Sequence, residues 1–351
     1  MGRLLALCLC CLFFTGPALG EDYLLKPALP IAAPKKMVLL DITRAGDDRL
    51  VAVGERGGIV YSDDGGRSWQ QGEVPLSETL TAVSFSGANN GWAVGHGGVI
   101  LHSDDRGESW TEQFDGVEAS RQRLEYFKER VKDASFDVVV ALIALDFGQS
   151  DTLLDVWFAV AESGWAVGAY GMIFRTDDGG KNWRIAAAGI ENVRGFHYYS
   201  MDASTDGTFY LAGEGGLLYR SDDGGRNWQR LGLDYDGTLF GVVALDRVRV
   251  VTYGLRGNIF FSADRGETWE RATVDKNPER SFYGGGDLAH GGLVLVGAGG
   301  VIASSTNGKH FTTRTHGSRD TFSSALWYDG ELLVVGLDGL VRIEQATGGE
   351  G

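Results

Sequence analysis

One unit of strand, glycine turn and strand recurs seven times in this sequence of 351 residues, and the repeat restricts the possible folds more than any other feature. The same glycine of each unit is found at Gly54, Gly95, Gly168, Gly213, Gly254, Gly297 and Gly336. Successive glycines are 39 to 45 residues apart, except for one interval of 73 residues. Repeats of roughly 40–50 residues that are rich in short strands are typical of β-propeller blades. The long interval indicates an insertion between the second and third units.

Each unit predicts a four-stranded blade. A short apolar strand, such as Val51–Val53, precedes the glycine, and a second glycine three residues later permits a positive φ in the turn. A strand upstream would line the central channel, and a polar strand downstream would be outermost. The sequence therefore predicts an all-β fold, a seven-bladed β-propeller of four-stranded antiparallel blades over residues 21–346. A β-sandwich is the alternative, but it gives no reason for a fixed period.

The two ends of the repeat predict how the ring closes. The seventh unit stops after its third strand, near Glu344, and residues Asp22–Ile31 precede the first inner strand. We expect Asp22–Ile31 to complete the last blade as its fourth strand.

The first twenty residues predict a cleaved secretory signal. Arg3 is followed by the apolar stretch Leu4–Phe14, which is too short to span a membrane, and Ala18–Gly20 offers a small-residue cleavage site. All three cysteines lie in this segment, so the mature chain would have no disulfide and no thiolate metal site. We expect an exported protein of the periplasm, or of the thylakoid lumen in a photosynthetic host.

A second motif follows the third strand of most units: Ser/Thr-x-Asp-x-Gly-x-Ser/Thr/Asn-Trp. Its five full copies carry the pairs Asp64 and Trp69, Asp105 and Trp110, Asp178 and Trp183, Asp223 and Trp228, and Asp264 and Trp269. Aspartate and serine side chains bond turn backbone, glycine accepts a left-handed conformation, and tryptophan would pack between neighbouring sheets. We interpret these aspartates as structural, because a catalytic acid is needed once. The turn offers too few oxygens for calcium.

This motif is the Asp-box, or bacterial neuraminidase repeat. The longer pattern Ala-Val-Gly-x-x-Gly-x-Ile-x-x-Ser-x-Asp-x-Gly-x-x-Trp resembles the photosystem II stability and assembly factor family over essentially everything after the signal. The resemblance implies a seven-bladed, non-catalytic helper that binds a membrane-protein precursor, with photosystem II as client. It also implies a client-binding arginine patch, which Arg56 and Arg256 would supply. The sequence departs from the cyanobacterial pattern in lacking a lipid-anchor cysteine and in carrying the insertion.

Propeller geometry predicts which surface binds a partner. The turns between second and third strands share one face with the connections between blades, and the Asp-boxes lie on the other. The turn residues vary between units, as expected for specific recognition: Glu55, Arg56, His96, Tyr170, Glu214, Arg256 and Asp338. The alternative is that they are solvated turn residues.

The insertion, residues 117–147, belongs to a connection on the same face. Helical spacing over Val117–Asp133 places Leu124, Phe127 and Val131 on one side. These residues either dock a partner or bury themselves in a helical hairpin against the channel mouth.

Other functions are less consistent with the sequence. A sialidase-like glycosidase would need an arginine cluster, a tyrosine nucleophile and a glutamate base, and the region before the first blade contains no arginine until Arg44. A lectin with a sugar site at each blade pair would need tip residues that repeat. A net charge of −15 disfavours nucleic acid and anionic membranes as partners. We predict that the protein has no cofactor and no metal site, and that it is a monomer that binds a membrane-protein client. The alternative is that it is an accessory protein of another envelope complex, such as a transporter.

Overall fold

The computed structural model describes residues 26–130, 152–187, 189–276, 279–288 and 292–344. The predicted signal, residues 1–20, lies outside these ranges, as do Val131 and the remainder of the insertion to residue 147.

Seven antiparallel sheets form a seven-bladed β-propeller, which confirms the predicted fold. The first four blades comprise β1 (Leu39–Ala45), β2 (Arg49–Gly54), β3 (Ile59–Ser62) and β4 (Gln70–Gln71); β5 (Leu80–Ser86), β6 (Asn90–Gly95), β7 (Ile100–Ser103) and β8 (Thr111–Phe114); β9 (Leu153–Val160), β10 (Ser163–Gly168), β11 (Ile173–Thr176) and β12 (Arg184–Ile185); and β13 (Tyr198–Ala203), β14 (Phe209–Gly213), β15 (Leu218–Ser221) and β16 (Gln229–Arg230). The others comprise β17 (Leu239–Ala244), β18 (Val250–Gly254), β19 (Ile259–Ser262) and β20 (Glu270–Arg271); β21 (Thr273–Val274), β22 (Phe282–Leu288), β23 (Gly292–Gly297), β24 (Val301–Ser305) and β25 (His310–Thr315); and β26 (Phe322–Tyr328), β27 (Glu331–Gly336) and β28 (Gly339–Glu344).

The strands of each blade run outward from the channel in chain order, and blade 6 gains β21, which pairs in parallel with β25. The second strands are continuous apolar runs because they are covered on both faces; every residue of β2 is buried, for example. The inner strands contact one another in ring order, and β26 of the last blade contacts β1 of the first.

Close packing explains the repeated glycine that ends each second strand. Gly54 has an extended φ of −174°, so it is not there for a left-handed turn. A Cβ at Gly54 would instead lie 2.0 Å from the backbone oxygen of Val38, just before the inner strand. The second glycine of the turn, Gly57, does have a positive φ, of 68°, as the sequence predicts.

Within the described residues, the ring closes differently from the prediction for Asp22–Ile31, of which residues 22–25 lie outside those ranges. The described part of that segment lies along blade 1: the Ala28 amide donates to the Val74 oxygen (3.1 Å), and the Ile31 amide donates to Gln71 Oε1 (2.7 Å). Pro27 and Pro30 have no amide hydrogen, which disfavours the segment as a ladder strand. Blade 7 therefore has three strands within the described residues, and side chains of blades 1 and 7 pack to close the ring.

The insertion begins with the helix α1 (Gly116–Arg130). Asp115 caps it, because its Oδ1 accepts the Glu118 amide at 2.8 Å. Gln122 joins it to the outer strand of blade 3 by donating to the Trp183 oxygen and accepting from the Ile185 amide. The described helix thus covers the edge of β12, which differs from one of the two alternatives, that it would pack at the channel mouth. None of the helices within the described residues is long and apolar enough to cross a membrane.

Candidate partner-binding face

The structure separates two faces, as predicted. The turns between second and third strands bond the connections between blades; the Gly57 amide, for example, donates to the Glu78 oxygen at 2.8 Å. We call this surface the tip face. The Asp-box turns instead bond the turns between first and second strands, as in the 2.9 Å bond from the Gly179 amide to the Glu162 oxygen. We call this opposite surface the box face.

The Asp-boxes are structural turns. In the first, the Ser62 hydroxyl donates to Asp64 Oδ1 (2.8 Å), and the Gly66 amide donates to Ser62 Oγ (2.8 Å). Asp64 also accepts the Ser68 amide and hydroxyl, and these hydrogen bonds hold its carboxyl pKa well below the usual range. The same bonds recur at Asp105, Asp178, Asp223 and Asp264. Each box carboxylate is therefore committed to its own turn.

The predicted tip residues occupy the tips of six blades and differ in their exposure to solvent. Arg56, His96, Tyr170 and Arg256 are exposed. Glu55 and Glu214 are half-buried, because each accepts the amide at the start of its own blade's inner segment, Val38 and His197 respectively.

Asp338, at the seventh blade's tip, lies beside Asp320. The hydrogen bond that the protonated Asp338 carboxyl donates to Asp320, together with the negative charge of Asp320, raises the pKa of Asp338. This pair makes the blade 7 tip acidic.

Two predicted docking residues of α1 prove less available. Leu124 is only 7% exposed, so it belongs to the core and cannot contact a partner while the helix stays folded. Phe127 is half-buried and packs edge-to-face against Tyr126, with ring centroids 5.6 Å apart. Val131 lies outside the described residues. Among the described residues, the predicted docking surface of the insertion is thus reduced to Phe127.

Sequence reasoning missed a ring of bulged residues at the channel mouth. Every inner strand skips its second residue in its pairing with the second strand, and β9 also skips Ala159 near its other end. The skipped second residues are Leu40, Thr81, Leu154, Tyr199, Phe240, Tyr283 and Ser323. A β-bulge redirects a side chain. We call these seven residues the bulge ring.

The aromatic members of the bulge ring form a continuous arc. Phe240 lies between Tyr199 and Tyr283, with ring centroids 5.1 and 5.2 Å away. His197 extends the arc from Tyr199 to the tip residue Tyr170, whose ring lies 4.8 Å from the imidazole and whose amide donates to His197 Nδ1. The sequence could have predicted this arc, because an aromatic residue occupies the same position of the repeat in three consecutive blades.

Carboxylates deeper in the inner strands join neighbouring blades. Asp41 accepts the Val83 amide, Asp155 the Met201 amide and Asp202 the Ala244 amide, at 2.8–2.9 Å. Burial raises their pKa values, to about 6 for Asp41, 8 for Asp155 and 7 for Asp202.

The charges of Asp41 and Asp202 add to the burial effect at Asp155. Within the described residues, no group of three or more His, Cys, Asp or Glu side chains is arranged to hold a metal.

Comparisons with known proteins agree with this architecture. The structure resembles YCF48 bound to a D1 peptide (TM-score 0.63, 20% identity, covering 91% of this chain and 99% of the other) and YCF48 from Cyanidioschyzon merolae (TM-score 0.63, 18% identity, covering 91% and 98%). It is equally similar to the WD40 β-propeller domain of Doa1 (TM-score 0.64, 11% identity, covering 91% and 95%), so these likenesses show the fold alone.

Sequence comparison gives the family. No curated protein matches the sequence. The family model described as photosynthesis system II assembly factor YCF48 matches residues 26–115 and 137–325, and the gap between them contains α1. Because these matches cover well over half of the sequence, the chain belongs to the YCF48 photosystem II assembly factor family.

Proposed function

We propose that this protein is an exported, non-catalytic assembly factor that binds an extended segment of a membrane-protein client on its tip face. The observation that carries the proposal is the aromatic arc from Tyr170 to Tyr283, which lies on the same face as the exposed arginines Arg56 and Arg256. The few residues that dominate the binding energy of protein interfaces are enriched in tryptophan, tyrosine and arginine. One relative in the family has been solved with a D1 peptide bound, which makes photosystem II the client we favour.

The backbone at the tips supports a binding role. Arg56, Tyr170 and Arg256 have positive φ values of 56°, 51° and 54°, whereas the corresponding residues of blades 2, 4 and 6 are Gly97, Gly215 and Gly299. A non-glycine residue in this conformation costs about 1–2 kcal/mol. Side chains kept at such a cost are commonly functional.

The test is binding of a fluorescent D1 peptide, followed by fluorescence anisotropy. Tyr283→Ala and Arg256→Ala should each weaken binding about tenfold, which corresponds to about 1.4 kcal/mol. Arg226→Ala, an exposed arginine on the box face, is the matched control and should bind like the unchanged protein. If the peptide does not bind, or if all three variants bind alike, the tip face is not the D1 site.

Export is tested separately. Residues 1–20 fused to a reporter enzyme that is active only outside the cytoplasm should give activity, and a fusion lacking Leu4–Phe14 should not. Equal activity of the two fusions would contradict export by this segment.

A further inference from the structure

The outer space between neighbouring blades is filled by an aromatic residue from the Asp-box of the following blade. Trp110, Trp183, Trp228 and Trp269 fill it between blades 1 and 2, 2 and 3, 3 and 4, and 4 and 5, Phe311 between blades 5 and 6, and Trp69 between blades 7 and 1. Blade 7 has no box, so its space against blade 6 receives no such residue. We call this space the 6/7 slot.

A cleft of about 380 Å³ occupies the 6/7 slot. Apolar side chains from both blades form its walls, including Ile302 of blade 6 and Trp327 and Ile343 of blade 7. At its rim lie Thr312, His310 and Arg314, all on β25. Arg314 is exposed and makes no ion pair among the described residues. The cleft has room for a side chain as large as the tryptophans that fill the equivalent spaces.

The edge of blade 7 beside the slot is also open. Four other blades end in outer strands of only two residues, such as β4 and β16. Blade 7 ends in the six-residue strand β28, whose outer edge has no partner strand within the described residues. Unpaired backbone groups along such a strand are a template for another strand.

Glu21–Tyr23 combine acidic and aromatic residues, but the segment that follows them leads away from the slot: Ile31 packs between blades 7 and 1, and Ala28 between blades 1 and 2. Residues 345–351 contain no aromatic side chain, and Lys26–Ile31 lies along blade 1. Glutamates lie beside the box tryptophans Trp110 and Trp269, whereas a lysine or arginine lies two residues before the aromatic residue of the other four boxes. Acidic neighbours would also complement Arg314 and His310 at the rim.

We propose that the 6/7 slot is a second docking site, which receives an extended segment of a partner protein. The segment pairs with β28 as a fourth strand and inserts an aromatic side chain between blades 6 and 7, with acidic residues beside Arg314. This site lies on the box side of the ring, so it is independent of the tip face.

The probe is a labelled peptide with the sequence of residues 103–114, Ser-Asp-Asp-Arg-Gly-Glu-Ser-Trp-Thr-Glu-Gln-Phe, which fills the equivalent space in blade 2. We expect saturable binding by anisotropy, and at least about tenfold weaker binding by the same peptide with alanine at its tryptophan.

Thr312→Trp places an indole at the slot and should also weaken binding about tenfold or more. Thr315→Trp, on the same strand but outside the slot, is the matched control and should not. Binding that is absent, or that Thr312→Trp leaves unchanged, would overturn the proposal.

Two further outcomes would reassign the occupant. If deleting residues 21–25 or 345–351 tightens peptide binding, the chain's own end fills the slot. If Thr312→Trp converts a dimer to a monomer in sedimentation, a second copy fills it. We expect neither change. Arg256→Ala should leave this peptide's binding intact, which separates this result from the test of the tip face.

Discussion

At the scale of single residues, the backbone conformation of the blade tips separates tip residues that only form the turn from those that we propose bind a partner. The left-handed turn position is glycine in three blades and a large side chain in three others. The three large side chains therefore hold the backbone in a strained conformation. This strain should lower the free energy of unfolding, which can be measured.

Arg256→Gly should raise the free energy of unfolding by up to about 1 kcal/mol, because glycine adopts a positive φ without the steric penalty. The same variant should bind the D1 peptide less well. Urea denaturation together with anisotropy measures both effects. Arg226→Gly, whose φ is not positive, is the control and should not gain stability. A loss of stability in Arg256→Gly would show that the arginine side chain supports the fold.

At the scale of elements, the Asp-box turn and its aromatic residue hold neighbouring blades together. Trp110 is 4% exposed, and its indole nitrogen donates to the Gly107 oxygen of its own box at 3.0 Å. Trp269 makes the equivalent bond but is only partly buried. The boxes therefore contribute unequally, although their sequences are alike.

Trp110→Ala should lower the free energy of unfolding by roughly 3–5 kcal/mol, the usual loss for a buried tryptophan. Trp269→Ala should cost less, because part of that ring already contacts solvent. Chemical denaturation of the two variants gives the comparison. Equal losses would mean that exposure does not govern the contribution of a box.

The helix α1 depends on its cap. Asp115→Ala removes the acceptor for the Glu118 amide and should cost about 1 kcal/mol. Glu125→Ala, an exposed change on the same helix, should cost about 0.5 kcal/mol or less. Thermal unfolding of both variants tests whether α1 stabilises the whole domain; identical melting temperatures would indicate that it folds without consequence for the blades.

At the scale of the whole molecule, carboxylates from three blades share the interior of the ring. Asp41, Asp155 and Asp202 each bond the next inner strand, and burial raises the pKa of all three. A carboxyl whose folded pKa is raised favours folding when protonated. The contribution of such a carboxyl to the free energy of unfolding is fully present below about pH 4 and is lost as the pH rises through the folded pKa.

Stability should therefore fall between pH 5 and pH 8 in part through Asp155, whose pKa is raised to about 8. Asp155→Asn removes this titration, so its melting temperature should depend less on pH over that range. Asp223→Asn is the control: hydrogen bonds lower the pKa of Asp223 to about 2, and its titration lies below the range. An unchanged pH slope in Asp155→Asn would contradict the raised pKa.

Much of the fold followed from the sequence because a repeat needs only local information. Short strands, the glycine turn and the box are each built within one blade, so the spacing of Gly54, Gly95 and their equivalents predicted the number of blades and the two faces. The order of strands in each blade was predicted for the same reason.

Only the tertiary structure decided features that depend on contact between blades. It placed Lys26–Ile31 on blade 1 instead of blade 7, buried Leu124 against its neighbours, and brought Tyr199, Phe240 and Tyr283 into one arc although they are more than 40 residues apart in sequence. The pKa of Asp155 and the cleft of the 6/7 slot likewise arise from neighbouring blades. Local patterns specify a blade, whereas burial and electrostatics depend on which surfaces the closed ring brings together.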